Sequence, residues 1–182
     1  RDWAAALVAR PDGWAVLDTE TTGTHSGAEA VDLAVIAPDG TPLFESLIRP
    51  LGRVQPGAAR VHRISSAQLR QAPSFDELYP LLSEALRDRI ILAYNADFDA
   101  RILNFCCAQA GLPAIEAEWG CVMEAYQAYA PGQRYNLRAA CASFGLAPGS
   151  HRAAPDAVAA LNVLRAIAGQ PPVIQAAADA AA

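Results

Sequence analysis

Apolar residues run unbroken from Trp14 to Leu17 and stop at a polar cluster, residues 19–24, that carries Gly23. The pattern predicts a buried strand over residues 14–18. A second apolar run covers residues 30–37, and a third strand is expected over 43–48, beyond the turn Pro38-Asp39-Gly40-Thr41. These three strands make an antiparallel meander. Residues 49–73 read as loop, rich in early prolines and glycines, with a short helix after Ser65. Ser74 and Glu77 then form a capping-box pattern, and Leu78, Leu81, Leu82, Ala85 and Leu86 repeat at helical spacing.

From there strands alternate with helices. Residues 90–94 predict a fourth strand, Asn95 stands as N-cap of a helix over 96–110, and Gly111 and Pro113 stop it. Residues 119–123 suit a short last strand running into a helix. Asn136 caps another helix that ends near Gly145, and Pro155 sits in the first turn of a final helix to about residue 168. An antiparallel meander followed by parallel strand-helix units implies an α/β fold: a mixed five-stranded sheet with helices on both faces. A single domain is expected over residues 1–175, with a low-complexity tail, Ala-Ala-Ala-Asp-Ala-Ala-Ala, over 176–182.

Composition narrows the partners. The 182 residues are 53% hydrophobic and 18% charged, enough apolar material for one core. A net charge of -5 excludes a globally basic protein held to nucleic acid by phosphate charge alone. It does not exclude a local contact. All 14 basic residues are arginine. No apolar stretch approaches the roughly 18 to 20 residues of a membrane helix, so no membrane partner is expected, and residues 1–11 lack the order of a secretory signal. Cys106, Cys107, Cys121 and Cys141 show no C-x-x-C spacing and read as reduced, buried thiols, which fits a cytoplasmic location.

Three clusters carry candidate chemistry. Asp18 and Glu20 lie two apart at a strand end, so both carboxylates project from one face of the sheet. With 11 Asp and 8 Glu in 182 residues, such a triplet arises by chance about half the time and alone proves little. In Tyr94-Asn95-Ala96-Asp97-Phe98-Asp99, Asp97 reads as helix-dipole support with Arg101 four residues on. Asp99 lies closer to the buried stripe and has more need of a partner. In His151-Arg152-Ala153-Ala154-Pro155-Asp156, Asp156 opens the last helix. His151 belongs to the residue type whose ordinary pKa, near 6.5, suits it to take a proton from water. If the clusters meet, the four carboxylates repel by on the order of 4 kcal/mol per pair at 4 Å and an effective dielectric of 20. Divalent cations relieve that, and hard oxygen ligands favour Mg²⁺ or Mn²⁺. Two such ions would clamp a phosphodiester.

Asp18-Thr19-Glu20-Thr21-Thr22-Gly23, then Tyr94 to Asp99, then His151 with Asp156 five later, resemble in order and spacing the three motifs of the DEDDh 3′–5′ exonucleases, a family that includes proofreading subunits of replicative polymerases. The intervening Val61-His62-Arg63-Ile64-Ser65 falls in family order too, although the family usually has Gly at Arg63 and His at Tyr94. The resemblance implies a ribonuclease-H-like fold, with Asp18, Glu20, Asp99 and Asp156 holding two Mg²⁺ or Mn²⁺ ions and His151 as general base. It implies release of 5′-mononucleotides from the 3′ end of single-stranded DNA, with RNA trimming as the alternative and a non-catalytic module that holds nucleic-acid ends or a protein as the third reading. It places Thr21, Thr22, His62, Arg63 and Asn95 near the terminal nucleotide. No polymerase-tethering segment is recognisable, so a polymerase partner is not readable from the chain. Arg49, Arg53, Arg60, Arg63 and Arg70 form a local basic stripe with no carboxylate between Ser46 and Phe75. Beside an acidic cleft, that stripe reads either as a solvated loop or as a seat for phosphates.

Overall fold

The computed structural model describes residues 1–173, so the expected tail over 176–182 lies outside the described residues. The chain order is α1 (Asp2–Val8), β1 (Trp14–Thr21), β2 (Ala30–Ile36), β3 (Pro42–Leu47), α2 (Pro56–His62), α3 (Ser66–Gln71), α4 (Phe75–Leu86), β4 (Ile90–Ala93), α5 (Ala96–Gln109), β5 (Glu118–Cys121), α6 (Val122–Tyr129), α7 (Leu137–Ser143) and α8 (Ala153–Ile167). The sheet order is β3-β2-β1-β4-β5. β1, β2 and β3 pair antiparallel, and β4 and β5 add in parallel, which is the expected mixed sheet.

Alternation along β1 divides the core. Trp14 and Val16 face one side, where Ala34, Ile36 and Leu92 join them against α1, α6, α7 and α8. Ala15 and Leu17 face the other, with Leu33, Val35 and Ile91 against α4 and α5. α8 is buried nearly all round, and its alanines let it lie close to the sheet while Leu161, Val163 and Leu164 fill the space between. Full burial of each such side chain is worth about 1.5–3 kcal/mol.

Several boundaries differ from expectation, each for a local reason. β1 runs on to Thr21, so Asp18, Thr19 and Glu20 are strand residues paired with Ala34, Leu33 and Asp32. α2 forms where the sequence reads as loop. Its Pro56 occupies the first turn, where a missing N–H costs nothing, and Arg63 closes it in the left-handed region at φ 59°. Ser65 and Ser74 both cap through reciprocal boxes, with Gln68 and Glu77. Asn136 accepts from the Ala139 N–H at 2.9 Å as expected. Asn95 holds the N-cap position of α5 but its side chain makes no cap bond. Asp97 does not pair with Arg101, whose guanidinium instead donates to the His25 carbonyl at 3.0 Å and lies 5.1 Å from the Phe98 ring centroid.

Candidate active site

The β1–β4 ladder runs only from Trp14↔Ile90 to Val16↔Leu92, so β1 continues past the end of its parallel neighbour. This is the carboxyl end of the central strands, where open α/β sheets place their ligands. Asp18 and Glu20 project there on the α8 side. Asp99 comes from the first turn of α5, and its Oδ1 accepts a 2.7 Å hydrogen bond from the Thr19 hydroxyl, so β1 positions three acids at once. Asp156 comes from the first turn of α8, its Oδ1 accepting from the His151 backbone N–H at 3.1 Å. Ligand atoms of Glu20, His151 and Asp156 all lie within 4.8 Å of one another.

The electrostatics of the site follow from burial. Asp18 is pushed well above the ordinary carboxylate range by burial, then by the charges of Asp99, Asp156, Glu20 and Asp32. Glu20 rises from 4.5 to about 8, through burial and then the charges of Asp156 and Asp32. Asp99 rises to about 7 by burial, restrained by the Thr19 hydrogen bond. Asp156 also rises by burial, restrained by the backbone N–H groups of His151 and Ser150. A cleft of carboxylates that resist ionising suits a hard divalent cation, because a cation replaces the protons as counter-charge. A donor set of carboxylate oxygens, with the His151 imidazole beside it, fits such a hard cation.

The other sequence candidates lie at the end of β1 and the turn after it, at the end of α2 and at the start of α5. The Thr21 hydroxyl donates to the Gly23 carbonyl at 2.6 Å, and the Thr22 hydroxyl accepts from the Glu29 N–H at 3.0 Å, so both order the turn that follows β1. His62 is 3% exposed; its Nδ1 accepts from the Ile64 N–H at 3.0 Å, and its Nε2 has no partner among the described residues. Burial lowers its pKa. Arg63 and Asn95 are exposed. Tyr94 is buried and donates to the Tyr135 carbonyl at 2.7 Å, tying β4 to the loop before α7. Within the basic stripe, Arg49, Arg53 and Arg70 line a cleft of about 220 Å³. Further along the same loop, the Gln55 N–H donates to the Thr22 carbonyl at 2.8 Å.

Sequence reasoning passed over three residues. Asp32 is a buried acid opposite Glu20, and the mark it left was a lone charge in an otherwise apolar strand. Arg152 pairs with it. A Cβ at Gly149 would overlap Asp156 Oδ1, so only glycine lets the loop lie against that carboxylate.

The sheet order and its mix of antiparallel and parallel strands are those of the ribonuclease-H-like exonucleases. Residues 15–164 match the RNase_T exonuclease family, and the chain belongs to that family. It is 29% identical over 122 residues to exodeoxyribonuclease 10 of Escherichia coli K12, covering 66% of this chain and 50% of that one. It is 28% identical over 167 residues to the epsilon subunit of DNA polymerase III from Treponema pallidum, covering 86% and 76%. A solved structure of exonuclease X in complex with 5′-overhanging duplex DNA superimposes with a TM-score of 0.67 at 26% identity, covering 87% of this chain and 95% of that one. The chain spans about half the length of the first curated relatives it matches.

Proposed function

We propose that the chain is a metal-dependent 3′–5′ exonuclease that hydrolyses the terminal phosphodiester of single-stranded DNA. What carries the reading is the convergence of Asp18, Glu20, Asp99, Asp156 and His151 at one strand end, where burial and mutual repulsion raise the carboxylate pKa values and Arg152 only partly offsets this at Glu20. Asp18, Glu20, Asp99 and Asp156 would hold two Mg²⁺ or Mn²⁺ ions, which supply Lewis-acid charge to the attacking water and the leaving oxygen. His151, exposed at the cleft, takes the water proton as general base. The water oxygen bonds to phosphorus and the P–O3′ bond breaks. The released nucleotide carries the 5′-phosphate, and the shortened strand keeps a 3′-hydroxyl.

Thr19 holds the Asp99 carboxylate towards the cleft, and Thr21 and Thr22 order the turn against which the last nucleotide would lie. His62 Nδ1 is spent as an acceptor, which leaves Nε2 as a donor, but that atom is buried and orders the loop from within. The cleft of Arg49, Arg53 and Arg70 suits phosphates upstream of the scissile one. Similarity to an exodeoxyribonuclease and a DNA polymerase subunit supports DNA over RNA. The test is 5′-labelled DNA and RNA oligomers of matched sequence, incubated with Mn²⁺ or with EDTA. Stepwise shortening of DNA that needs the metal and is lost in Asp99→Asn is expected. Activity that survives EDTA overturns the mechanism, and faster RNA cleavage overturns the substrate.

A further inference from the structure

Asp32 is the third of seven residues in β2, a strand whose other six residues are apolar and buried, and it is 2% exposed. A buried carboxylate needs partners. Its Oδ2 has two, both from the segment that carries His151. Arg152 Nε donates at 2.6 Å, and the backbone N–H of Ala153, the first residue of α8, donates at 3.2 Å. Asp32 and Arg152 are 120 residues apart in the chain, so this contact ties the sheet to the start of α8. Glu20 lies directly across the ladder from Asp32.

His151 immediately precedes Arg152 and sits at φ 59°, a left-handed conformation that costs an L residue about 1–2 kcal/mol. Something must hold it there. The bond from its N–H to Asp156 Oδ1 closes the loop upon α8 but fixes nothing relative to β1. The Asp32 contact does, because β2 and β1 share a ladder and Glu20 is the register partner.

We propose that the Asp32–Arg152 ion pair is the positioning device for His151, holding its backbone against the sheet so that the imidazole stays beside Glu20 and Asp156. Arg152 then works through His151 and not as a phosphate contact, although 41% of its side chain is open to solvent. The inference rests on reading His151 as the general base.

Arg152→Ala alone strands a buried carboxylate and endangers the fold, so a companion chain carries Asp32→Asn with Arg152→Ala, in which an amide still accepts from the Ala153 N–H. Steady-state cleavage of a labelled DNA oligomer should show kcat lowered about 10- to 100-fold in the companion chain, with KM within about threefold. Placed in a His151→Ala background, the same two changes should alter the rate by less than about threefold, because the group they position is gone. An equal loss in both backgrounds overturns the proposal. So does an unchanged kcat, or a KM raised about tenfold with kcat intact, which would make Arg152 a phosphate contact. Amide hydrogen exchange gives an arm independent of activity: the His151 N–H should exchange at least about tenfold faster in the companion chain, and equal rates overturn the proposal. An unaltered chain that cleaves nothing sinks the exonuclease reading, and the exchange comparison still decides the positioning role.

Discussion

Glu20→Gln should stabilise the chain in EDTA at neutral pH while destroying its activity. Burial and the charges of Asp156 and Asp32 hold the folded-state pKa of Glu20 at about 8, against 4.5 for the free side chain. The unfolded carboxylate therefore ionises first as pH rises. Folding stability owed to this group is fully present below about 4.5, falls as pH climbs, and is gone above about 8. At about 1.36 kcal/mol per pKa unit, the ceiling at pH 7 is about 3 kcal/mol. Glu20 is partly exposed, and solvent screening brings this to about 1–2 kcal/mol. For a chain of this size that is about 2–8 °C in Tm. Circular dichroism melts in EDTA at pH 5 and 7.5 read it directly: the unaltered chain should lose more stability than Glu20→Gln between the two. Mn²⁺ at pH 7.5 should restore the unaltered chain and do little for the variant. Parallel pH dependence of the two proteins would refute the reasoning.

Two further outcomes follow from single contacts. Gly149→Ala should displace Asp156 and lower kcat at least about tenfold with the fold intact, measured by oligomer cleavage beside a melt, since the added Cβ collides with a carboxylate oxygen and not with core. Thr19→Val removes the hydroxyl that donates to buried Asp99 and should raise the Asp99 pKa above about 7, seen as a basic shift in the pH dependence of Mn²⁺ affinity, with a stability cost of about 1–3 kcal/mol at pH 8 by urea titration.

Apolar continuity makes the sheet legible because both core faces draw on it. Residues 14–17 are an unbroken apolar run, and β2 is one but for Asp32, as a strand covered on both faces must be. The same continuity should have flagged Asp32, since a charge in such a run is either paired or functional. Its partner lay 120 residues away, however, and pairing at that range has no local mark. α2 was hidden by Pro56-Gly57, which reads as a turn although proline also opens helices. Asp97 and Arg101 had the spacing of a helical ion pair, but the Phe98 face and the His25 carbonyl hold the guanidinium instead. For Asp18 and Glu20 strand geometry puts both carboxylates on one face, which alone proves little. For Asp99 and Asp156 the motif order was needed, since either would serve equally well as a helix-dipole carboxylate.

The central claim is that the buried and half-buried acids at the end of β1 form a divalent-cation centre, and isothermal calorimetry of Mn²⁺ into the EDTA-stripped chain at pH 6.5 tests it most directly. Run in two buffers of different ionisation enthalpy, it counts protons as well as ions. With Glu20 near 8 and Asp99 near 7, the account predicts two ions per chain and the release of about one to two protons, both diminished in Glu20→Gln. Mn²⁺ that binds without proton release, or does not bind at all, would contradict it.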